Sequence, residues 1–218
     1  MSTLPERMTV TIGAETGVYV RLAIPAPTED WIQTAMQHYS QSDKRWADFE
    51  YAPNYTMRGA GCLITSIAMI GSLYYGEGIT PLSVAQVLKD AGAFDGGMLA
   101  RPEVLSVVWP RLVYAGRADW HGVPADLGAL RDELDHSGAT VILVKYNAHR
   151  PDPIADNTHF VVLTDITLHG AQIVDSFDGQ IKDLLDTQYA LTGWLPSRAI
   201  YGVRRYRITP TNKGGDNA

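Results

Sequence analysis

Thr140-Val-Ile-Leu-Val-Lys-Tyr146 and His159-Phe-Val-Val-Leu-Thr164 decide the fold class. The first run is nearly all apolar, the mark of a strand buried on both faces, and the second reads as its neighbour. Further on, Ala171-Gln-Ile-Val-Asp175 and Tyr201 to Ile208 read as two more strands. Toward the N-terminus the period changes. Gly61 to Tyr75 reads as a helix ended by Gly76 and Gly78. Thr80 to Ala91 is a second, with Thr80 as N-cap, Pro81 in the first turn and Gly92 at the end. Pro102 to Trp109 gives a third, and Ala125 to Ser137 a fourth, closed by Gly138. Helices first and strands afterwards make an α+β chain.

The N-terminal stretch is organised differently. Met8 to Ile12 and Val18 to Leu22 read as short strands around Gly13 to Gly17. Pro25 and Pro27 punctuate the chain, and Thr28-Glu-Asp30 starts a helix that Trp31 to Tyr39 continues. Ser40 to Arg58 has no clear period and reads as loop. The expected division is an N-terminal extension over 1–38, a main domain over 39–209 and a polar tail over 210–218. No long internal period repeats, which excludes solenoids and propellers.

Composition narrows the function. Of 218 residues, 45% are hydrophobic and 19% charged, enough to form a core and too apolar for wholesale disorder. The net charge of −6 excludes a strongly basic nucleic-acid-binding surface. The only cysteine is Cys62, so neither an internal disulfide nor a thiolate zinc finger can form. Cys62 to Tyr75 is too short to span a bilayer, so no stable membrane insertion is expected. Met1 to Glu6 has no basic segment followed by an apolar run, so no signal peptide is visible. The expected site of action is the cytoplasm, or the exterior if something else releases the protein from the cell. The pattern specifies no oligomeric state.

Cys62 opens the strongest helix just after Gly59-Ala-Gly61. Unpaired N–H groups and the positive dipole end at a helix start both favour a thiolate. The glycines let a substrate backbone come close. The competing explanation is a small buried hydrophobe, as many free cysteines are. A nucleophilic thiol needs a base, and His159 begins a strand whose edge could face the helix tip. The base needs an orienting acid, and Asp175 ends the next strand. Cysteine on a helix start, then histidine and carboxylate on adjacent strands, is the order that activates a thiol. Asp178 is the rival acid; Asp175 is favoured because it belongs to the strand, whereas Asp178 sits beside Gly179 in a turn.

Gln41-Ser-Asp-Lys-Arg-Trp46, Gly61-Cys-Leu-Ile-Thr-Ser-Ile-Ala-Met69, Thr80-Pro81, Thr158-His-Phe-Val-Val-Leu-Thr164 and Ile173-Val-Asp175 resemble the peptidase C39-like family of papain-like cysteine peptidases. The resemblance spans about Tyr39 to Thr209. It departs at Leu63-Ile64, where the family has Gly-Pro, at Thr158, where it has glycine, and at Ser176, where proline is common. The resemblance implies a papain-like fold, with the nucleophile helix packed on an antiparallel sheet. It implies Cys62 as nucleophile, His159 as base, Asp175 as orienting acid, and Gln41 with the Cys62 backbone N–H as the oxyanion hole. Without the family, Gln41 reads as a loop amide, and an Asx turn and a buried ring account for Asp43 and Trp46. The implied activity is hydrolysis of a peptide or isopeptide bond, with no cofactor. The substrate would be a peptide, a protein or the stem peptide of peptidoglycan. The alternatives are a binding module that has lost catalysis and an acyltransferase on the same three residues.

The remaining polar residues carry blander readings. His149, His159 and His169 lack metal-ligand spacing, and Asp152, Asp156 and Asp165 lack that of a calcium loop, so no metal is expected. Gly92 to Gly97 reads as a turn. Arg198, Arg204, Arg205 and Arg207 read as a solvated strand edge.

Overall fold

Val141 and Ile142 are neighbours in sequence and members of two different cores. Successive strand residues point to opposite faces, so this strand lies in a sheet covered on both sides. The computed structural model describes residues 7–12, 18–23, 36–148 and 158–208.

In chain order, β1 (Arg7–Ile12) and β2 (Val18–Ala23) form an antiparallel pair. β3 (Glu50–Ala52), β4 (Tyr55–Thr56) and a single helical turn, α1 (Met57–Ala60), lie in what the sequence reads as loop. The long helix α2 (Cys62–Tyr75) and α3 (Pro81–Asp90) follow. Next come the small hairpin of β5 (Phe94–Asp95) and β6 (Met98–Leu99), α4 (Leu105–Val108) and β7 (Leu112–Asp119). After α5 (Leu127–Ser137) come β8 (Thr140–Lys145), β9 (Thr158–Ile166), β10 (Ala171–Val174) and β11 (Ile181–Asp183). The short α6 (Pro196–Ala199) leads into β12 (Ile200–Ile208).

Six strands form one antiparallel sheet in the order β11-β10-β9-β8-β12-β7. Ile67 and Met69 of α2 and Leu88 of α3 pack with Val141, Val162 and Val174 on one face. Leu130 and Leu134 of α5 pack with Ile142, Val144, Val161 and Leu163 on the other. The chain is therefore α+β, helix over sheet over helix. Each large apolar side chain buried this way contributes about 1.5–3 kcal/mol.

Caps fix where the helices begin. Thr80 accepts from the Ser83 N–H at 3.1 Å, Ser83 returns the bond, and Pro81 starts α3. Asp126 accepts from the Ala129 N–H at 3.0 Å, and Gly138 closes α5 in the left-handed region at φ 76°.

Four expectations need correction or restriction. β7 and β11 are strands that the pattern did not show. Residues 36–39 are not helical; the rest of the expected N-terminal helix from Thr28 to Ala35, and the tail over 210–218, lie outside the described residues. The arginine-rich strand β12 is not an edge, because it lies between β8 and β7. Its arginines pair inward: Arg204 with Asp119 at 2.7 Å, Arg207 with the buried Glu133 at 2.6 Å, and Arg205 with Glu133 at 3.6 Å.

Candidate active site

Cys62 is the first residue of α2 and is half-buried. The chain turns into α2 at Gly61, where a Cβ would lie 2.5 Å from the Met57 carbonyl oxygen and 2.8 Å from the Met57 Cα. Those are backbone atoms that cannot move aside, so only glycine fits. The first amides of a helix have no acceptor within it. Here the Leu63 N–H points at the Cys62 sulfur, and so does the Phe160 N–H from the sheet.

His159 is the second residue of β9 and is buried between Tyr146 and Tyr189, with ring centroids at 5.7 and 5.3 Å. Its position at the strand end lets the ring reach the tip of α2, where it lies beside the Cys62 thiol and each favours the other's charged form. Its Nε2 bonds Asp175 Oδ1 at 2.9 Å, which leaves Nδ1 for the sulfur. Strand register explains the pairing. Val174 lies opposite Val162, so one step on, Asp175 faces Val161 and His159 is its diagonal neighbour.

The strand stops at Val174, one residue sooner than the sequence reading placed its end. Asp175 therefore lies in the turn, and rigidity comes from hydrogen bonds. Its N–H donates to the Gln180 carbonyl at 2.9 Å, and its carbonyl accepts from the Gly179 N–H at 2.7 Å. Gly179 takes φ 75°, a left-handed conformation that glycine adopts without strain. Asp175 Oδ1 also accepts from the Phe177 N–H at 3.0 Å. Oδ2 accepts from Lys182 Nζ and from the Tyr189 hydroxyl, each at 2.7 Å. Asp178 does not reach His159; it binds Lys182 at 2.7 Å and the Gln180 N–H at 3.0 Å.

These contacts set the charges. Burial pushes the Cys62 thiol up, but the His159 hydrogen bond and charge and the two backbone N–H groups outweigh it, so the net shift is down. Burial opposes a charged His159, but its bonds to Asp175 and Cys62 raise it to about 9. Burial likewise opposes a charged Asp175, yet His159, Lys182 and Tyr189 together hold it well below the usual carboxylate range. The arrangement favours a thiolate–imidazolium pair beside an ionised carboxylate.

Gln41 borders the site and is buried. Its main-chain N–H donates to the Ser176 carbonyl at 2.7 Å, and its side-chain Nε2 donates to the Arg58 carbonyl at 2.8 Å. One N–H of the amide is thus engaged, while its buried Oε1 has no partner among the described residues. Asp43 makes the Asx turn, accepting from the Arg45 N–H at 2.9 Å, and the buried Trp46 donates its indole N–H to the Ser40 carbonyl at 2.8 Å.

The structure brings Cys62, His159 and Asp175 together and ties Gln41 to Arg58, four residues before Cys62, and to Ser176, one residue after Asp175. Lys182, Tyr189 and Tyr146 were not singled out from the sequence. Lys182 lies four residues beyond Asp178, a faint signal, and the two tyrosines carry none. Asp165 pairs with Arg131 at 2.8 Å. His149, Asp152 and Asp156 lie outside the described residues. Among the described residues, no group of three or more His, Cys, Asp or Glu side chains could hold a metal ion. No single helix there is long and apolar enough to cross a membrane. No family model, curated protein or solved structure matches the chain.

Proposed function

We propose that this protein is a papain-like cysteine peptidase or amidase. The observation that carries the reading is the meeting of Cys62 with His159, whose Nε2 bonds the buried Asp175 at 2.9 Å. In the first step the Cys62 sulfur bonds to the substrate carbonyl carbon. The amide C–N bond then breaks, and the proton held on His159 passes to the leaving amine. In the second step His159 takes a proton from water. The hydroxide attacks the thioester, releases the acid and expels the Cys62 thiolate, which restores the thiolate–imidazolium pair. Asp175 holds the imidazole in the tautomer and orientation both steps need. Gln41 and the Cys62 backbone N–H are the proposed donors to the oxyanion. The proposed substrate class is a peptide, an isopeptide or the stem peptide of peptidoglycan.

The test incubates wild type and Cys62→Ala with a peptide library and with purified peptidoglycan, and reads products by mass spectrometry. Products from the wild type alone support the proposal. Equal cleavage by both, or a wild type that cleaves neither, overturns it.

A further inference from the structure

The catalytic reading uses only one oxygen of Asp175. The other, Oδ2, is held as tightly: Lys182 Nζ and the Tyr189 hydroxyl both bond it at 2.7 Å. Asp175 is almost wholly buried, whereas the Lys182 side chain keeps 30% of its exposure and also pairs with Asp178. Tyr189 lies against the His159 ring as well, so one side chain contacts both members of the acid–base pair.

We propose that Lys182 and Tyr189 are positioning residues for the His159–Asp175 pair, clamping one carboxylate oxygen so that only the other faces the imidazole. The proposal rests on the peptidase reading for its role in turnover, but not for its geometry. A carboxylate free to rotate would let the imidazole swing with it and lose its fixed orientation toward the sulfur. The Lys182 ammonium also offsets part of the Asp175 charge that His159 feels. His159 meets Cys62, Asp175, Tyr146 and Tyr189, and Asp175 meets His159, Lys182 and Tyr189, with Asp178 beyond Lys182. Lys182 is the only cation in that set apart from His159 itself. Its loss leaves an uncompensated carboxylate beside the imidazole, so the pair keeps its proton to higher pH whichever of the two holds it.

The experiment follows the His159 imidazole by NMR titration in wild type, Lys182→Met, Lys182→Arg and Tyr189→Phe. Lys182→Met should move the midpoint up by roughly one pH unit, a tenfold change in proton affinity. Lys182→Arg should restore it. Tyr189→Phe, which removes a single oxygen, should move it the same way by less, and gives the answer should Lys182→Met fail to fold. Midpoints that coincide with wild type, or an Arg variant that titrates like Met, overturn the proposal. The titration needs no substrate, so a protein that cleaves nothing would remove the peptidase reading and leave this result standing.

Discussion

The main-chain N–H of Gln41 donates to the carbonyl of Ser176, 2.7 Å away, and binds the loop before α2 to the turn that carries Asp175. The Gln41 side chain meanwhile grips the Arg58 carbonyl, four residues before Cys62. Gln41→Ala keeps the first link and loses the second. Removing one oxyanion donor costs about 10²–10³ in kcat. The expected result is a loss of that size with KM little changed, read by steady-state kinetics on a cleaved peptide. A variant within threefold of wild type removes Gln41 from the oxyanion hole.

Asp175→Ala should lower kcat by about 10²-fold or more, because the imidazole loses its only carboxylate partner among the described residues. Asp178→Ala should be mild, since Asp178 reaches only Lys182 and a turn amide. Paired rate measurements decide the matter; a damaging Asp178→Ala beside a mild Asp175→Ala reverses the assignment.

Melting temperature against pH should show the charge pair directly. Asp175 falls below its unfolded value of 3.8, so its stabilisation is present above that pH and is lost as pH falls through the folded value. His159 rises from 6.5 to about 9, so its stabilisation is complete below 6.5 and is lost as pH rises toward 9. Cys62 falls from 9.0, so its stabilisation grows as pH climbs toward 9.0. Between 6.5 and 9 the histidine and cysteine effects have opposite signs, so each offsets part of the other. Wild type should therefore change its melting temperature less across that window than Cys62→Ala, which keeps only the histidine effect and should lose stability through it. Equal slopes in calorimetry would show that the pair does not form.

Gly61→Ala should damage both stability and reactivity. Its Cβ would lie 2.5 Å from the Met57 backbone oxygen, so the turn between α1 and α2, and with it the seat of the sulfur, must shift. Strain of this kind costs about 1–3 kcal/mol. The expected readout is a lower urea midpoint together with slower alkylation of Cys62 by iodoacetamide at pH 6. Unchanged values for both would mean that the turn has slack.

The parts of the fold legible in the sequence are those with strong local signals. α2 announces itself by a glycine start, a long apolar run and a glycine stop, and α3 and α5 by their caps. β8 and β9 are legible because they are buried on both faces. β7 escaped because it is an edge strand with Gly116 in its middle and exposed residues at alternate positions. β11 is only three residues long. In the site, Cys62, His159 and Asp175 each stand at the start or end of a readable element. Lys182 and Tyr189 reach Asp175 only through the sheet edge and a later turn, and no spacing along the chain encodes that meeting.

The position of β12 has a consequence for how the protein is made. β7 and β8 are both antiparallel to it and touch it from either side, so they run parallel to each other with a one-strand gap between them. Until β12 leaves the ribosome that gap stays open. At about 5–20 residues per second, the 63 residues from Lys145 to Ile208 take roughly 3–13 seconds to synthesise. Throughout that interval, two open strand edges are unpaired and able to bind another chain. Closure of the sheet between β7 and β8 is thus a late event. A nascent or truncated copy lacking β12 would be a candidate for chaperone capture.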